Sequence, residues 1–371
     1  MTSLKSFFSP ALVRRLADAV ERAHADFPRE AFVRDASAGL RPLELLDRGR
    51  HIARALGRHL PAAYPEAIDV LLRSLGPELE GDEILGAGMA PFFYYPHTVF
   101  VAERGLDHFD LSLRAQYELT KRFSAEASIR PYLARDPERT CRTLRRWSAD
   151  PNPHVRRLVS EGTRLRLPWA MRVGWLDGNP ERILELLERL KDDPSPMVRR
   201  SVANNLNDLG KIRPDLLVDT CTAWLGGASV DRRGLVEHAL RSAVKRGDRA
   251  ALGLLGFGER PAVAVEGVRF EPARVAIGGK VVLRFVLRSR SSEPQPLLVD
   301  VAVHFVKARG RTAPKVFKLK RLVLGPRARV ELGTSVSLQI HTTRVPRPGR
   351  HPVEVLVNGA AFPAGSFQVT A

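Results

Sequence analysis

Hydrophobic and polar positions along this chain follow two rhythms, and the change falls near residue 258. Before it, apolar residues recur at helical spacing between charged residues, with Gly and Pro as punctuation. Residues 11–24, 61–75, 112–121 and 183–190 read as amphipathic helices, and another helix pair begins within 37–48. Residues 86–100 interrupt this rhythm and fit either an edge helix or an ordered loop. After residue 260 the period becomes two. In Val281-Val-Leu-Arg-Phe-Val-Leu-Arg, the residues Val281, Leu283, Phe285 and Leu287 share one face of a strand, and the runs at 297–306 and 330–338 alternate likewise. Turn signals at 291–294, 324–326, 348–349 and 358–359 separate these runs. About seven strands over 261–371 predict an immunoglobulin-like sandwich, here without its cysteine pair.

A single pattern occurs twice in the helical region. Asp150-Pro-Asn-Pro-His-Val-Arg-Arg-Leu-Val and Asp193-Pro-Ser-Pro-Met-Val-Arg-Arg-Ser-Val lie 43 residues apart and agree in register at Asp, both Pro, Val, both Arg and the last Val. An echo at that period predicts stacked helix pairs, a HEAT-like solenoid of roughly six pairs over about 250 residues. The fold class is therefore an all-α HEAT-like repeat solenoid, 1–258, followed by an all-β immunoglobulin-like sandwich, 259–371. Asp150 and Asp193 are expected as N-caps, with Pro151 and Pro194 at the first helical position. On the helical wheel Val155, Leu158, Val159 and Gly162 form the packing face, while Arg157, Glu161 and Arg164 form a separate stripe. The equivalent stripe of the second copy is Arg200, Asn204 and Asn207, with Asp208 beside it. A weaker third echo, Lys121-Arg122 then Glu126, precedes the first copy by 35 residues. Stacking would bring Glu126, Glu161 and Asp208 onto one concave wall.

Charge narrows the range of partners. The formal net charge is +18 over 371 residues, which favours a polyanion, with nucleic acid ahead of an anionic membrane surface. From Glu259 onward there are 19 Lys and Arg against 7 Asp and Glu, and the rest of the chain has 40 against 34. Two-thirds of the excess thus lies in the sandwich. Lys318 and Lys320 share one strand face, and 307–311 reads as a basic loop before them, so this domain is a candidate DNA clamp. Lysines that keep an exposed edge strand from aggregating give the same pattern. Cys141 and Cys221 form neither a disulfide framework nor a metal-ligand spacing. No secretory leader and no uncharged apolar run of about 20 residues is seen, so a cytoplasmic protein without a membrane contact is expected; a monomer, associated with the nucleoid through DNA binding, is expected as well. There is no Gly-rich phosphate loop, nucleophile elbow or zinc signature, and no cofactor is expected.

On spacing alone the three acids admit two readings. They could form a carboxylate cluster for catalysis, or be helix-face acids paired with Arg157, Arg164 or Lys211. One arginine of each doublet is expected to bond the Asp of a neighbouring repeat, leaving the other for phosphate. Trp169 follows a helix end and a proline, where a ring projects from a loop, whereas His97, His108 and His154 read as structural or surface residues.

At these residues the chain resembles a known family. Lys121-Arg122-Phe-Ser-Ala-Glu126, the stretch from Asp150 to Glu161, Leu167-Pro-Trp169-Ala and Val202-Ala-Asn-Asn-Leu-Asn-Asp208 are similar to the AlkC branch of the AlkD-like DNA alkylation repair glycosylases. Some members of that branch also carry an immunoglobulin-like domain. Ala127 and Ser128, where bulkier apolar residues are expected, are small departures that affect packing. The resemblance implies a DNA glycosylase that releases N3-methylated bases, 3-methyladenine and 3-methylcytosine, from duplex DNA without flipping them into a pocket. It carries Glu126, Glu161 and Asp208 over as the acidic set and Trp169 as the aromatic wall. Arg122, Arg157, Arg164, Arg166 and Arg200, with Lys318 and Lys320, are the cations expected on DNA. A non-catalytic scaffold that binds DNA or an acidic protein would share the fold and the charge but release no base.

Overall fold

A computed structural model of the chain describes residues 4–82, 88–308, 310–340 and 345–371. Gly86 and Ala87 of the interrupting segment, Arg309 of the basic loop and the first three residues lie outside the described residues. The described residues form fifteen α-helices and eight β-strands, grouped into two compact units: Met1–Leu217 with Trp224–Ala239, and Val218–Ala223 with Leu240–Ala371.

The first helices are α1 (Pro10–Ala23), α2 (Arg29–Ser37), α3 (Leu45–His59), α4 (Tyr64–Arg73), α5 (Tyr95–Arg104) and α6 (Phe109–Thr120). The central set is α7 (Arg130–Arg135), α8 (Pro137–Trp147), α9 (Pro153–Gly162), α10 (Gly174–Gly178), α11 (Pro180–Leu190) and α12 (Pro196–Leu209). The last are α13 (Pro214–Leu225), α14 (Val230–Lys245) and α15 (Arg249–Leu254). The segment after residue 88 resolves into a short 3-10 turn, Ala90–Tyr94, leading into α5.

The two copies of the repeat are α9 and α12, which pack on each other, while α8 packs on α9 and α11 on α12. Val155, Leu158 and Val159 of α9 and Val198, Val202 and Leu206 of α12 are fully buried between these layers. Gly162 is required here, because a Cβ would lie 2.7 Å from Ile129 Cγ2. The N-caps differ from expectation. Asn152 caps α9 by accepting from His154 N, and Ser195 caps α12 by accepting from Val198 N, so Pro153 and Pro196 open the helices. A residue before proline is driven out of the α region, and Asn152 and Ser195 have ψ of 121° and 122°. Neither helix can begin upstream of them. Asp150 and Asp193 instead accept from the N–H two residues on.

The first arginine of each doublet ties one repeat to the next. Arg156 meets the Asp193 carboxylate with Nε at 2.6 Å and Nη2 at 2.9 Å, while Nη1 donates to the carbonyls of Asp150 and Pro151. Arg199 repeats the pattern on the carbonyls of Asp193 and Pro194 and on Asp231. The third echo is not a helix. Residues 121–129 form the connection between α6 and α7, since Pro131 lacks the N–H that would bond back to residue 127.

His97 of α5 is fully buried, and neither ring nitrogen has a hydrogen-bond partner among the described residues. Burial lowers its pKa to about 4 from the ordinary 6.5. Because the unfolded chain takes up this proton first, stability present above pH 6.5 is lost as pH falls towards 4. The difference amounts to about 2 kcal/mol at pH 5. His97→Phe should therefore lessen the fall in urea midpoint between pH 7 and pH 5, and an unchanged fall would assign the acid sensitivity to other groups.

The second unit contains a sandwich of two sheets. Its strands are β1 (Val263–Glu271), β2 (Arg274–Ala276), β3 (Lys280–Ser289), β4 (Gln295–Val306), β5 (Thr312–Leu324), β6 (Arg329–Ser337), β7 (Gly349–Val357) and β8 (Ala360–Thr370). One sheet has the order β1-β3-β6 and the other β2-β8-β7-β4-β5, with only β2 and β8 parallel. Val281, Leu283, Phe285 and Leu287 of β3 share a core with Val299, Val301, Val303 and Phe305 of β4. Residues 240–258, which the change of period groups with the helical domain, pack in this second unit. Asn358 and Gly359, both at positive φ, make the β7–β8 hairpin turn. A Cβ on Gly359 would meet Leu252 Cδ1 at 2.7 Å and Gly247 Cα at 2.9 Å.

Candidate functional site

Helices α9 and α12 and the 121–129 connection form a wall on which acids and cations alternate. At its start Glu126, held in the connection rather than on a helix, accepts from Ser124 Oγ at 2.7 Å and pairs with Arg157 Nη2 at 2.9 Å. One turn along α9, Glu161 accepts from Ser201 Oγ of α12 and from Arg164 Nη1, each at 2.5 Å. Arg164 lies just past the end of α9 and also reaches Asp208 Oδ2, with Nε and Nη2 both at 2.9 Å. Lys211 Nζ closes the series on Asp208 Oδ1 at 2.8 Å.

Burial separates these acids. Asp208 is 1% exposed and Glu161 5%, whereas the Glu126 side chain retains 28% exposure. Burial alone would lower the pKa of Arg157, but the carboxylates of Glu126 and Glu161 outweigh it and hold the pKa above its ordinary value. Arg164 is raised in the same way, against its burial, by Glu161 and Asp208. Both guanidinium charges are thus fixed by the acids between which they lie.

Glu126 and Arg157 open onto a cavity of about 190 Å³, bounded also by Phe92, Tyr95, Phe123 and Trp169. Trp169 is 69% exposed and has a φ of 61°. That is a strained conformation for a bulky residue, one that persists only where its surroundings enforce it. Leu165 and Leu167 anchor the loop from within. The larger restraint is Arg130, which lies in the Lys121–Pro131 stretch similar to the family but takes no role from that resemblance. Its buried guanidinium donates to the carbonyls of Met171 at 2.6 Å, Gly162 at 2.8 Å and Arg164 at 2.9 Å. It joins the end of α9 to the far side of the tryptophan loop. Burial lowers its pKa to about 10, so it remains charged at neutral pH.

The other cations singled out in the sequence fall in different surroundings. Arg122 donates to the Gly76 and Glu118 carbonyls and to the Glu118 carboxylate, which uses its guanidinium inside the protein. Arg166 pairs with Asp177 at 3.2 Å. Arg200 is exposed, with no ion pair among the described residues. Lys318 and Lys320 are exposed on β5, an edge strand of the five-stranded sheet. Ser124 and Ser201, which orient the two glutamates, escape sequence reasoning because a lone serine has no pattern. Among the described residues no group of His, Cys, Asp and Glu could hold a metal ion, and no helix is long and apolar enough to cross a membrane.

A helical repeat with a carboxylate–arginine wall beside an exposed tryptophan, followed by an immunoglobulin-like sandwich, defines a narrow class of protein. Residues 123–245 match the family described as DNA alkylation repair enzyme, and residues 264–371 match the C-terminal immunoglobulin-like domain described for YhaZ. Over its whole length the chain is 34% identical to the alkylpurine DNA glycosylase AlkC of Pseudomonas fluorescens, solved bound to DNA containing an abasic site analog. The match covers 100% of both chains with a TM-score of 0.92. It is also 32% identical over 370 residues, all of both chains, to the uncharacterized protein YhaZ of Bacillus subtilis (strain 168). The chain belongs to the AlkC-type DNA alkylation repair enzymes, a family of DNA glycosylases.

Proposed function

We propose that this protein excises N3-methylated cationic bases, 3-methyladenine and 3-methylcytosine, from duplex DNA without drawing them into a pocket. The observation that carries this reading is the run of carboxylates, Glu126, Glu161 and Asp208, interleaved with Arg157 and Arg164 beside the projecting Trp169. A methylated base already bears a positive charge and leaves without a general acid. Catalysis then has to stabilise the cation growing on the deoxyribose and supply a water to trap it, and fixed carboxylates serve both needs. Glu126, at the mouth of the cavity, faces the sugar and holds Arg157, Glu161 orients Arg164, and Asp208 positions the water. Lys211, whose side chain is 44% exposed, is the cation of the wall able to turn to a phosphate, and doing so frees Oδ1 of Asp208. The assay is incubation with N-methylated duplex DNA and detection of the free base by mass. Absence of any released base, with binding intact, would turn the reading to a DNA-binding scaffold whose three acids are ion-pair partners.

Trp169 packs nothing in the core, so Trp169→Ala should slow excision at least several-fold while leaving the melting temperature within about 2 °C. A core tryptophan would cost about 3–5 kcal/mol, and a melting shift of that size would remove Trp169 from the DNA face.

The exposed pair Lys318 and Lys320 supports a second DNA contact through the sandwich. Changing both to Ser in the full chain should weaken duplex binding and lower the slope of log affinity against log salt by about 1.8, at about 0.9 for each phosphate no longer neutralised. An unchanged slope would leave them as guards of the β5 edge.

A further inference from the structure

The proposed excision chemistry makes no use of α8 and α11, yet they carry a dense basic surface. α8 reads Pro-Glu-Arg-Thr-Cys-Arg-Thr-Leu-Arg-Arg-Trp, and its Thr140, Thr143 and Leu144 are buried. Arg142, Arg145 and Arg146 are exposed, on an open groove of about 610 Å³ to which Arg189 of α11 also contributes. Arg142 and Arg145 have neither an ion pair nor a hydrogen bond among the described residues. Arg146 donates to Thr143 Oγ1 at 3.2 Å, and Arg189 to Ser148 Oγ at 2.7 Å. Asp110, the acid lining this groove, is already paired with Arg139 at 2.7 Å. Four guanidinium groups are therefore left without a carboxylate partner. A neighbouring groove between the same two helices shares Arg142, Arg145 and Arg189 and adds Arg182 with three carboxylates; Glu138 and Glu185 pair with Arg182, and Glu188 accepts from Trp224 Nε1 and Lys191.

From this we infer that the α8–α11 groove is a second nucleic-acid site, one that takes the phosphate backbone of a duplex other than the one held at the carboxylate wall. The wall is built on α9 and α12, whereas this groove is lined by α8 and α11, which pack on them. The groove and the wall thus draw on different helices, and they are assigned different duplexes. The groove also lacks what a protein partner would need. Among the described residues none of the large exposed apolar side chains lies in it, and protein interfaces depend on buried aromatic or aliphatic anchors. What it offers is an array of guanidinium forks about one helical turn apart, the geometry that grips successive phosphates. A second site of this kind lets the enzyme hold one DNA segment while it contacts another, through the same phosphate neutralisation that governs non-specific binding.

The test uses the full chain and an immobilised short duplex with one alkylated base, and asks whether the bound protein captures a second, fluorescent unmodified duplex. The wild type should capture it, and Arg142→Ser/Arg145→Ser/Arg146→Ser should reduce capture at least about fivefold. The same variant should excise from the short duplex at the wild-type rate. Arg142→Lys/Arg145→Lys/Arg146→Lys, which keeps the charge, should retain most of the capture, and melting curves report whether either variant is folded. If the Ser variant unfolds, single Arg142→Ser and Arg145→Ser changes should each reduce capture about twofold. No capture by the wild type, equal capture by a folded Ser variant, or displacement by polyglutamate but not by a third duplex would each overturn the inference. Capture without excision would count against the catalytic reading and leave this one standing.

Discussion

Asp208→Asn should reduce base excision at least about tenfold, with DNA affinity held or slightly raised. A carboxylate close to a developing sugar cation contributes more than about 1.4 kcal/mol, which is a factor of ten in rate. Asp208 is nearly inaccessible and sits between Arg164 and Lys211, so its charge acts where water screens it poorly. Asparagine keeps the shape and one acceptor for Arg164, which also retains Glu161, and the fold should survive. Removing a negative charge near phosphate favours binding if it changes it at all. Single-turnover excision from a methylated duplex, with affinity measured in parallel, separates the two effects. Unchanged excision would make Asp208 an ion-pair partner and nothing more.

Arg130→Met should be among the most damaging single changes in the helical unit. Methionine retains much of the buried stem but leaves the carbonyls of Gly162, Arg164 and Met171 without the donors they now have. A buried polar group stripped of its partner costs about 1–3 kcal/mol. Relief from burying a charge offsets some of the sum, and a net loss of about 3–5 kcal/mol is expected. In a domain of this size that lowers the melting temperature by on the order of 10 °C. Arg130→Lys should recover only a fraction of it, since one ammonium cannot span three carbonyls. The tryptophan loop should also become the first site of proteolysis, and excision should fall more than DNA binding. A melting temperature within about 2 °C of the wild type would show that the loop holds its strained Trp169 by other means.

Much of the candidate wall is legible in the repeat, though not in its details. The doublets Arg156-Arg157 and Arg199-Arg200 imply one structural arginine in each, and Arg156 and Arg199 fill that role on Asp193 and Asp231. The caps fall two residues later than the aspartates suggest, although the signal is present, since the second proline of each Asp-Pro-x-Pro forbids a helical residue before it. A two-point echo places Glu126 on a helix, but Pro131 and the end of α6 at Thr120 put it in a connection. Arg122 matches a phosphate-binding position by spacing, yet nearby carbonyls and Glu118 engage its guanidinium.

By itself the amino-acid sequence determined what short-range geometry controls. It specified helices to near residue 258 and strands after it, the duplicated helix that stacks on itself, the Asn358-Gly359 turn and the alternating face of β3. Each follows from a period of 3.6 or 2 and from the local preferences of Pro, Gly and Asn. The sequence offered Arg157, Arg164 and Lys211 as partners of the three acids, and tertiary structure decided which acid each one meets. Glu126 and Arg157 are 31 residues apart, Glu161 and Ser201 40, Arg130 and Met171 41, and Arg164 and Asp208 44. The 43-residue echo sets neighbouring helices side by side, but it does not say which side chains along them pair. The pairings arise when buried apolar faces lock the helix layers in register, leaving Asp208 buried, Glu126 open and Trp169 projecting beside it.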